Sequence, residues 1–207
     1  MLVETLLKGI AAGLVIAAPV GPVGVLCVHR TLVCGRVHGL VSGLGAAVAD
    51  CLFAGVVAFG LGFVSDFLIA HQGELQLAGG SLLLMLGLNA LVSRPPQPSG
   101  GPGGEDVRGL SGDCASAFVL TATNPITILS FLGVFAALGV SSSANSVEAY
   151  ALVGGVFLGS AAWWLLLSAG VSVMRSMMET LYLKWMHLIS GGLLLAFGVG
   201  VLAAAAF

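Results

Sequence analysis

The stretch GLVIAAPVGPVGVLC, residues Gly13 to Cys27, reads as a membrane helix until it reaches Pro19, Gly21 and Pro22. Lipid offers a broken backbone no water, so freed N–H and C=O groups at that depth must be satisfied by protein or must line a cavity. Each proline removes a donor and crowds the carbonyl four residues earlier. Pro19 thereby frees the carbonyl of Val15, and Pro22 frees that of Ala18. A break at this place is costly, and the rest of the chain indicates its use.

The 207 residues are 58% hydrophobic and 8% charged, with a mean hydropathy of +1.09. Soluble domains carry about 25% charged residues, so most of this surface cannot face water. Apolar stretches near twenty residues recur, each long enough for a bilayer core of roughly 30 Å. A membrane β-barrel would need short segments alternating at period two, and the sequence has none. The fold class is therefore an all-α membrane protein. The run after Lys8 continues past Pro19 to Val28 and meets Arg30, which reads as a retained first helix and not as a signal peptide. The net charge of −2 says little with so few charges to sum, and no basic run suggests nucleic acid as a partner. Cys27, Cys34, Cys51 and Cys114 form no C-x-x-C and read as buried thiols. The four histidines fall near the ends of spans, so no metal site and no cofactor are expected.

Six spans are predicted, at about 6–28, 39–63, 75–92, 115–138, 149–172 and 187–206. A Pro/Gly/Ser-rich segment beginning Ser93-Arg-Pro-Pro has no apolar face and reads as a linker. It divides the chain into a first three-helix unit (1–92), the linker (93–113) and a second three-helix unit (114–207). Loop one holds Arg30 and Arg36, the linker Arg94 and Arg108, and loop five Arg175 and Lys184, whereas loops two and four have no Lys or Arg. The positive-inside rule then makes loops one, three and five cytoplasmic and puts both termini outside. With three helices per half, the second half starts on the opposite side, so a repeat would be inverted, a recurring transporter design.

The prolines outside the linker are Pro19 and Pro22 in helix one and Pro125 in helix four. Helices one and four open their respective halves, so the breaks correspond. Asn124 followed by Pro125, and Gly21 followed by Pro22, have the form of helix restarts. A restarted helix presents free N–H groups and a positive dipole end, which suits a carboxylate. Proline kinks that only shape the bundle would be the plainer explanation of any one of these. Asp50, in GLGAAVADCLFAGV, lies about eleven residues from each end of its span, or roughly 16 Å at 1.5 Å per residue. An ionisable group near the bilayer midplane is a candidate for proton carriage or for pairing with a substrate ammonium. Trp163 and Trp164 sit inside helix five, the counterpart of helix two. Packing is the ordinary role of such residues, and Trp164 is carried as a candidate substrate contact. Glycine pairs at G-x-x-x-G spacing, Gly9/Gly13, Gly39/Gly43 and Gly155/Gly159, suit close helix packing without naming a partner helix.

Pro19-x-Gly21-Pro22 in helix one, Arg30 and Gly35-Arg36 in a short basic loop, and Gly45-x4-Asp50 in helix two resemble the LysE-type amino-acid exporters. The Thr123-Asn124-Pro125 restart resembles that family's second signature, and the likeness covers nearly the whole chain. The resemblance implies a secondary transporter, not an enzyme, that exports amino acids or related small metabolites across the bacterial inner membrane. An ion gradient would drive it, and the single buried acid, Asp50, points to the proton as coupling ion. It carries Pro19, Gly21, Pro22, Asp50, Asn124 and Pro125 over as matching positions, while the places after P-G-P and N-P hold Val23 and Ile126. Thr123 completes the second signature. Two alternatives stand beside it: a metal-ion exporter, which needs several acids or histidines at depth, and a membrane thiol–disulfide carrier of related architecture, which needs reactive cysteines at the breaks. Exposed glycine faces permit a homodimer without requiring one.

Overall fold

The computed structural model describes residues 2–19, 21–59, 67, 70–92, 109–124, 127, 130, 131, 134, 146–177 and 180–206. These form α1 (Leu2–Ala17), α2 (Pro22–Val33), α3 (Arg36–Ala58), α4 (Gln72–Val92), α5 (Leu110–Ala122), α6 (Ser146–Met177) and α7 (Thr180–Ala206). Residues 36–58, 73–92 and 146–174 are each long and apolar enough to cross a bilayer, and α1 with α2 forms a bent pair that qualifies as one further span. Helix one is thus split, as the prolines imply. The all-helical architecture is as read from composition.

The boundaries shift in informative ways. α6 runs on to Met177 and α7 begins at Thr180, so both helices continue beyond their apolar spans through Arg175 and Lys184, which are good helix formers. Residues 110–113, counted with the linker above, are instead the first turn of α5. Asp113 in that turn is favoured by the positive end of the helix dipole. Residues 93–108 lie outside the described residues.

Small residues decide which helices meet. The two glycine pairs of α1 and α6 face one another. A Cβ at Gly9 would collide with the Leu152 carbonyl oxygen and one at Gly13 with that of Val156. Likewise, a Cβ at Gly155 or Gly159 would collide with the carbonyl of Leu6 or Ile10. The backbones touch, and α1 and α6 run parallel. The third pair is divided between partners: Gly39 faces Thr31 of α2, and Gly43 faces the Trp164 side chain of α6. α3 also packs on α5, with Gly45 against the Cys114 backbone, and α4 lies antiparallel on α7 through Gly80, Gly87, Gly191 and Gly198. Large apolar side chains such as Leu88, Leu165, Leu166 and Val173 remain exposed, as a lipid-facing surface requires.

Among the described residues, two apolar clusters fill the interior. One joins Cys27, Ala46, Ala47, Ala117, Leu120 and Trp164 among others. The second joins Ala12, Phe53, Ala54, Phe131, Leu152 and Val156 among others. Along α3 the first ends at Ala47 and the second begins at Phe53, and Asp50 falls between them.

Candidate functional site

Gly21 is extended (φ −111°, ψ −168°) and caps α2, with Pro22 in the first turn. α1 closes with the Ala18 N–H on the Leu14 carbonyl at 2.9 Å, and the Val25 N–H makes the first bond of α2, to Gly21, at 3.0 Å. The N–H groups of Val23 and Gly24 therefore have no intrahelical acceptor. The two helices meet at 79°. Their junction lines a cavity of about 300 Å³ whose wall includes Pro19, Gly21, Pro22, Asp50, Asn124 and Trp164. Six residues singled out from sequence thus share one cavity.

Asp50 is 3% exposed. Its Oδ2 accepts a hydrogen bond from Ser160 Oγ at 2.6 Å, and Ser160 Oγ accepts one from Trp164 Nε1 at 3.1 Å. Since the indole can only donate, the Ser160 hydroxyl is left to donate to Asp50. No cationic side chain pairs with Asp50 among the described residues. A carboxylate in such surroundings is costly to keep charged without a partner, so the site favours either a proton or a ligand cation.

The second break comes at the end of α5. Asn124 leaves the helix, its N–H bonded to Thr121 at 3.2 Å, and its carbonyl accepts from the Thr127 N–H at 3.1 Å. Thr127, Ser130, Phe131 and Val134 are helical again. Asn124, Thr127 and Ser130 line the cavity. Pro125 lies outside the described residues. Thr123 is not part of the wall. Its Oγ1 donates to Val119 O at 2.8 Å, and its side chain stands against Gly79 of α4.

Sequence reasoning missed Thr121, Thr127, Ser130 and Ser160, and the apolar wall from Phe197 and Val201. Two of these had a legible signal. Ser160 lies one turn before Trp164, and Thr121 one turn before Asn124, so each shares a helix face with a flagged residue. Phe197 and Val201 had none, because nothing local distinguishes them from other apolar residues of α7.

The family profile for LysE type translocators matches residues 14–205 of this chain. The chain belongs to the LysE type translocator family. A Bacillus subtilis (strain 168) protein named "Putative amino acid efflux protein YcgF" is 31% identical over 207 residues, covering 93% of this chain and 92% of its own length. No solved structure matches. This LysE-type translocator is accordingly a multi-pass membrane transporter and not an enzyme.

The translocator holds a second buried polar cluster, between α2, α3 and α5. Arg30 Nε pairs with Asp113 Oδ1 at 3.0 Å. Its Nη1 donates to Ser42 Oγ and the Asp113 carbonyl, both at 2.9 Å, and its Nη2 donates to Ser116 Oγ at 2.8 Å. His38 Nδ1 meets the other Asp113 oxygen. Among the described residues no group of three His, Cys, Asp or Glu side chains is arranged to hold a metal ion. The four cysteines are free thiols, and none is in the described wall of the cavity.

Proposed function

We propose that this translocator exports small amino acids with uncharged side chains across the bacterial inner membrane, coupled to proton entry. The observation that carries the reading is Asp50: a buried acid with one hydrogen-bonding side chain, facing a cavity between two helix breaks. The α-ammonium of the substrate pairs with Asp50. Its carboxylate is received at the start of α2, where the N–H groups of Val23 and Gly24 and the helix dipole favour a negative group, and Asn124 faces it across the cavity. Ile16, Val23, Phe197 and Val201 supply apolar wall for the side chain. The sequence has no second acid at comparable depth, so a dibasic substrate would bury an unpaired cation. When a proton reaches Asp50 the ammonium loses its counter-charge and leaves; loss of that proton to the cytoplasm resets the site. The name of the Bacillus subtilis relative agrees with amino-acid efflux.

The transport cycle follows from a six-span inverted repeat with both termini outside. Helix contacts and directions support that arrangement. Numbering spans by the sequence prediction, the α1 part of span one lies parallel to span five (α6), and span two (α3) lies parallel to α5, which opens span four: Gly109, just before α5, faces His38, and Cys114 in α5 faces Gly45. Exchanging the halves turns the first contact into the second. Spans three and six, α4 and α7, pair antiparallel and map onto themselves. One half rocking against the other around Asp50 would alternate access.

The test is counterflow of a mixed labelled amino-acid pool in proteoliposomes, wild type against Asp50→Asn at equal reconstitution. Uptake of neutral amino acids by wild type, lowered about tenfold to a hundredfold in Asp50→Asn, is the expected result. Folded wild-type protein that moves no amino acid would end the assignment, and preference for lysine or arginine would end the uncharged-side-chain part.

A further inference from the structure

We propose that Arg30, His38 and Asp113 form a gate that closes the cavity toward the loop-one end of the bundle, the end the arginines assign to the cytoplasm. Three helix faces lead from the cavity to this cluster. On α2, Val23 and Gly24 line the cavity and Cys27 and Arg30 follow at three-residue steps. On α3, Ala46 and Ser42 lie one and two turns from Asp50, and His38 one turn beyond. On α5, Thr121 borders the cavity, and Ala117 and Asp113 are the next two turns back. Cys27, Ala46 and Ala117 are fully buried and share one apolar cluster. A dry plug therefore separates the cavity from the mouth, and the charged cluster clamps the outside of that plug.

The clamp has the properties of a device that opens. It joins the two halves, with Arg30, His38 and Ser42 on one side and Asp113 and Ser116 on the other. For a largely desolvated ion pair such as Arg30–Asp113, the cost of desolvation offsets much of the Coulomb gain, and charges parted at a hydrated mouth regain water. A polar clamp can therefore separate with little net change in energy, where an apolar seal of the same area would resist wetting. A second feature points the same way. Ser168 Oγ is buried, in a residue 1% exposed, without a hydrogen-bond partner among the described residues. Ser160 on Asp50 and Trp164 on Gly43 fix α6 antiparallel to α3, so Ser168, one turn beyond Trp164, comes level with residues 39–42. An unpaired hydroxyl disfavours the closed state and is relieved when water enters there.

The inference needs the translocator to alternate access, which family membership supports, but not the identity of its cargo. The Ser42 and Ser116 hydroxyls bond the two terminal nitrogens of one guanidinium, so thiols at those places fall within reach of a short, reducible bifunctional crosslinker. The experiment bridges Ser42→Cys/Ser116→Cys, with the native cysteines replaced, in proteoliposomes. Transport should fall to the level of protein-free liposomes and return on reduction. Undiminished transport by fully bridged protein would make the cluster a permanent staple and overturn the proposal.

If the double variant is idle before bridging, or wild type moves no amino acid and the substrate reading fails, the native Cys27 decides. With Cys34, Cys51 and Cys114 replaced, an impermeant thiol reagent on the loop-one side should label Cys27 faster in Asp113→Asn than in the parent. Equal, negligible labelling in both, with the variant shown to be folded, would overturn the gate.

Discussion

Asp50 is a buried acid and Asp113 a partly buried one, and their surroundings differ. Asp113 has an arginine on one oxygen, a histidine on the other and a carbonyl that also holds the arginine. Asp50 has one serine hydroxyl, an indole behind that, and a cavity in front. The first is saturated by its own chain; the second keeps capacity for something that arrives. In a membrane interior, where unsatisfied charge is most costly, the under-coordinated acid is the one we propose for the ligand. The saturated one joins α2, α3 and α5, the contact proposed above as a gate.

That contrast can be broken in graded steps. Arg30→Ala leaves the partly buried Asp113 carboxylate with His38 as its remaining partner, and loss of one partner of a buried pair costs up to about 3–5 kcal/mol. Thermal unfolding in detergent should show the largest drop of any variant named here, with Asp50→Asn close to wild type. Asp50→Asn should act on function instead. A hydrogen bond to a charged group is worth about 1.5–3 kcal/mol, so counterflow should fall about tenfold to a hundredfold while the unfolding temperature barely moves. If Asp50→Asn destabilised the protein as much as Arg30→Ala, the distinction between the two acids would collapse.

Gly155→Ala tests the frame that carries the site. Its methyl group would meet the Leu6 carbonyl, and overpacking of this kind costs about 1–3 kcal/mol. Stability should fall and transport should follow it, whereas Gly154→Ala, which meets nothing within 4 Å, should be silent. Apart from that silent control, the smallest effect is expected of Trp164→Phe, which removes the donor behind Ser160 and retains an aromatic ring. A neutral hydrogen bond contributes about 0.5–1.5 kcal/mol, so transport should fall by about a factor of two to ten, chiefly as a weaker apparent affinity. An effect matching that of Asp50→Asn would mean that the indole contacts the substrate directly.

Much of the site was legible because its residues break local rules. A proline inside an apolar run, an aspartate at mid-depth and an Asn-Pro pair all stand out against a membrane background. Thr123 stood out too, as part of the Asn-Pro signature, but its hydroxyl turns back to Val119 and its side chain faces α4. Sequence adjacency does not specify which face of a helix a residue takes once the helix ends beside it. Ser160 and Thr121 were overlooked for the opposite reason, since a lone hydroxyl in an apolar helix can satisfy itself on the carbonyl one turn earlier. Only Asp50 across the interface makes Ser160 different.

The sequence by itself determined that this chain is helical and membrane-bound, that its first helix is broken at Gly21-Pro22 and that Asp50 lies deep. Those follow from hydropathy, proline chemistry and the 1.5 Å rise of a helix, which are local properties. It offered three glycine pairs without saying which would meet, and it left Asp113 in the linker. The tertiary structure decided that Gly9 and Gly13 pack on Gly155 and Gly159, that Arg30 reaches Asp113, and that Ser160 meets Asp50. Each of these joins residues more than eighty positions apart in the chain. The physical reason is that burial and close packing are properties of pairs of surfaces, and a pair exists only when the helices have met.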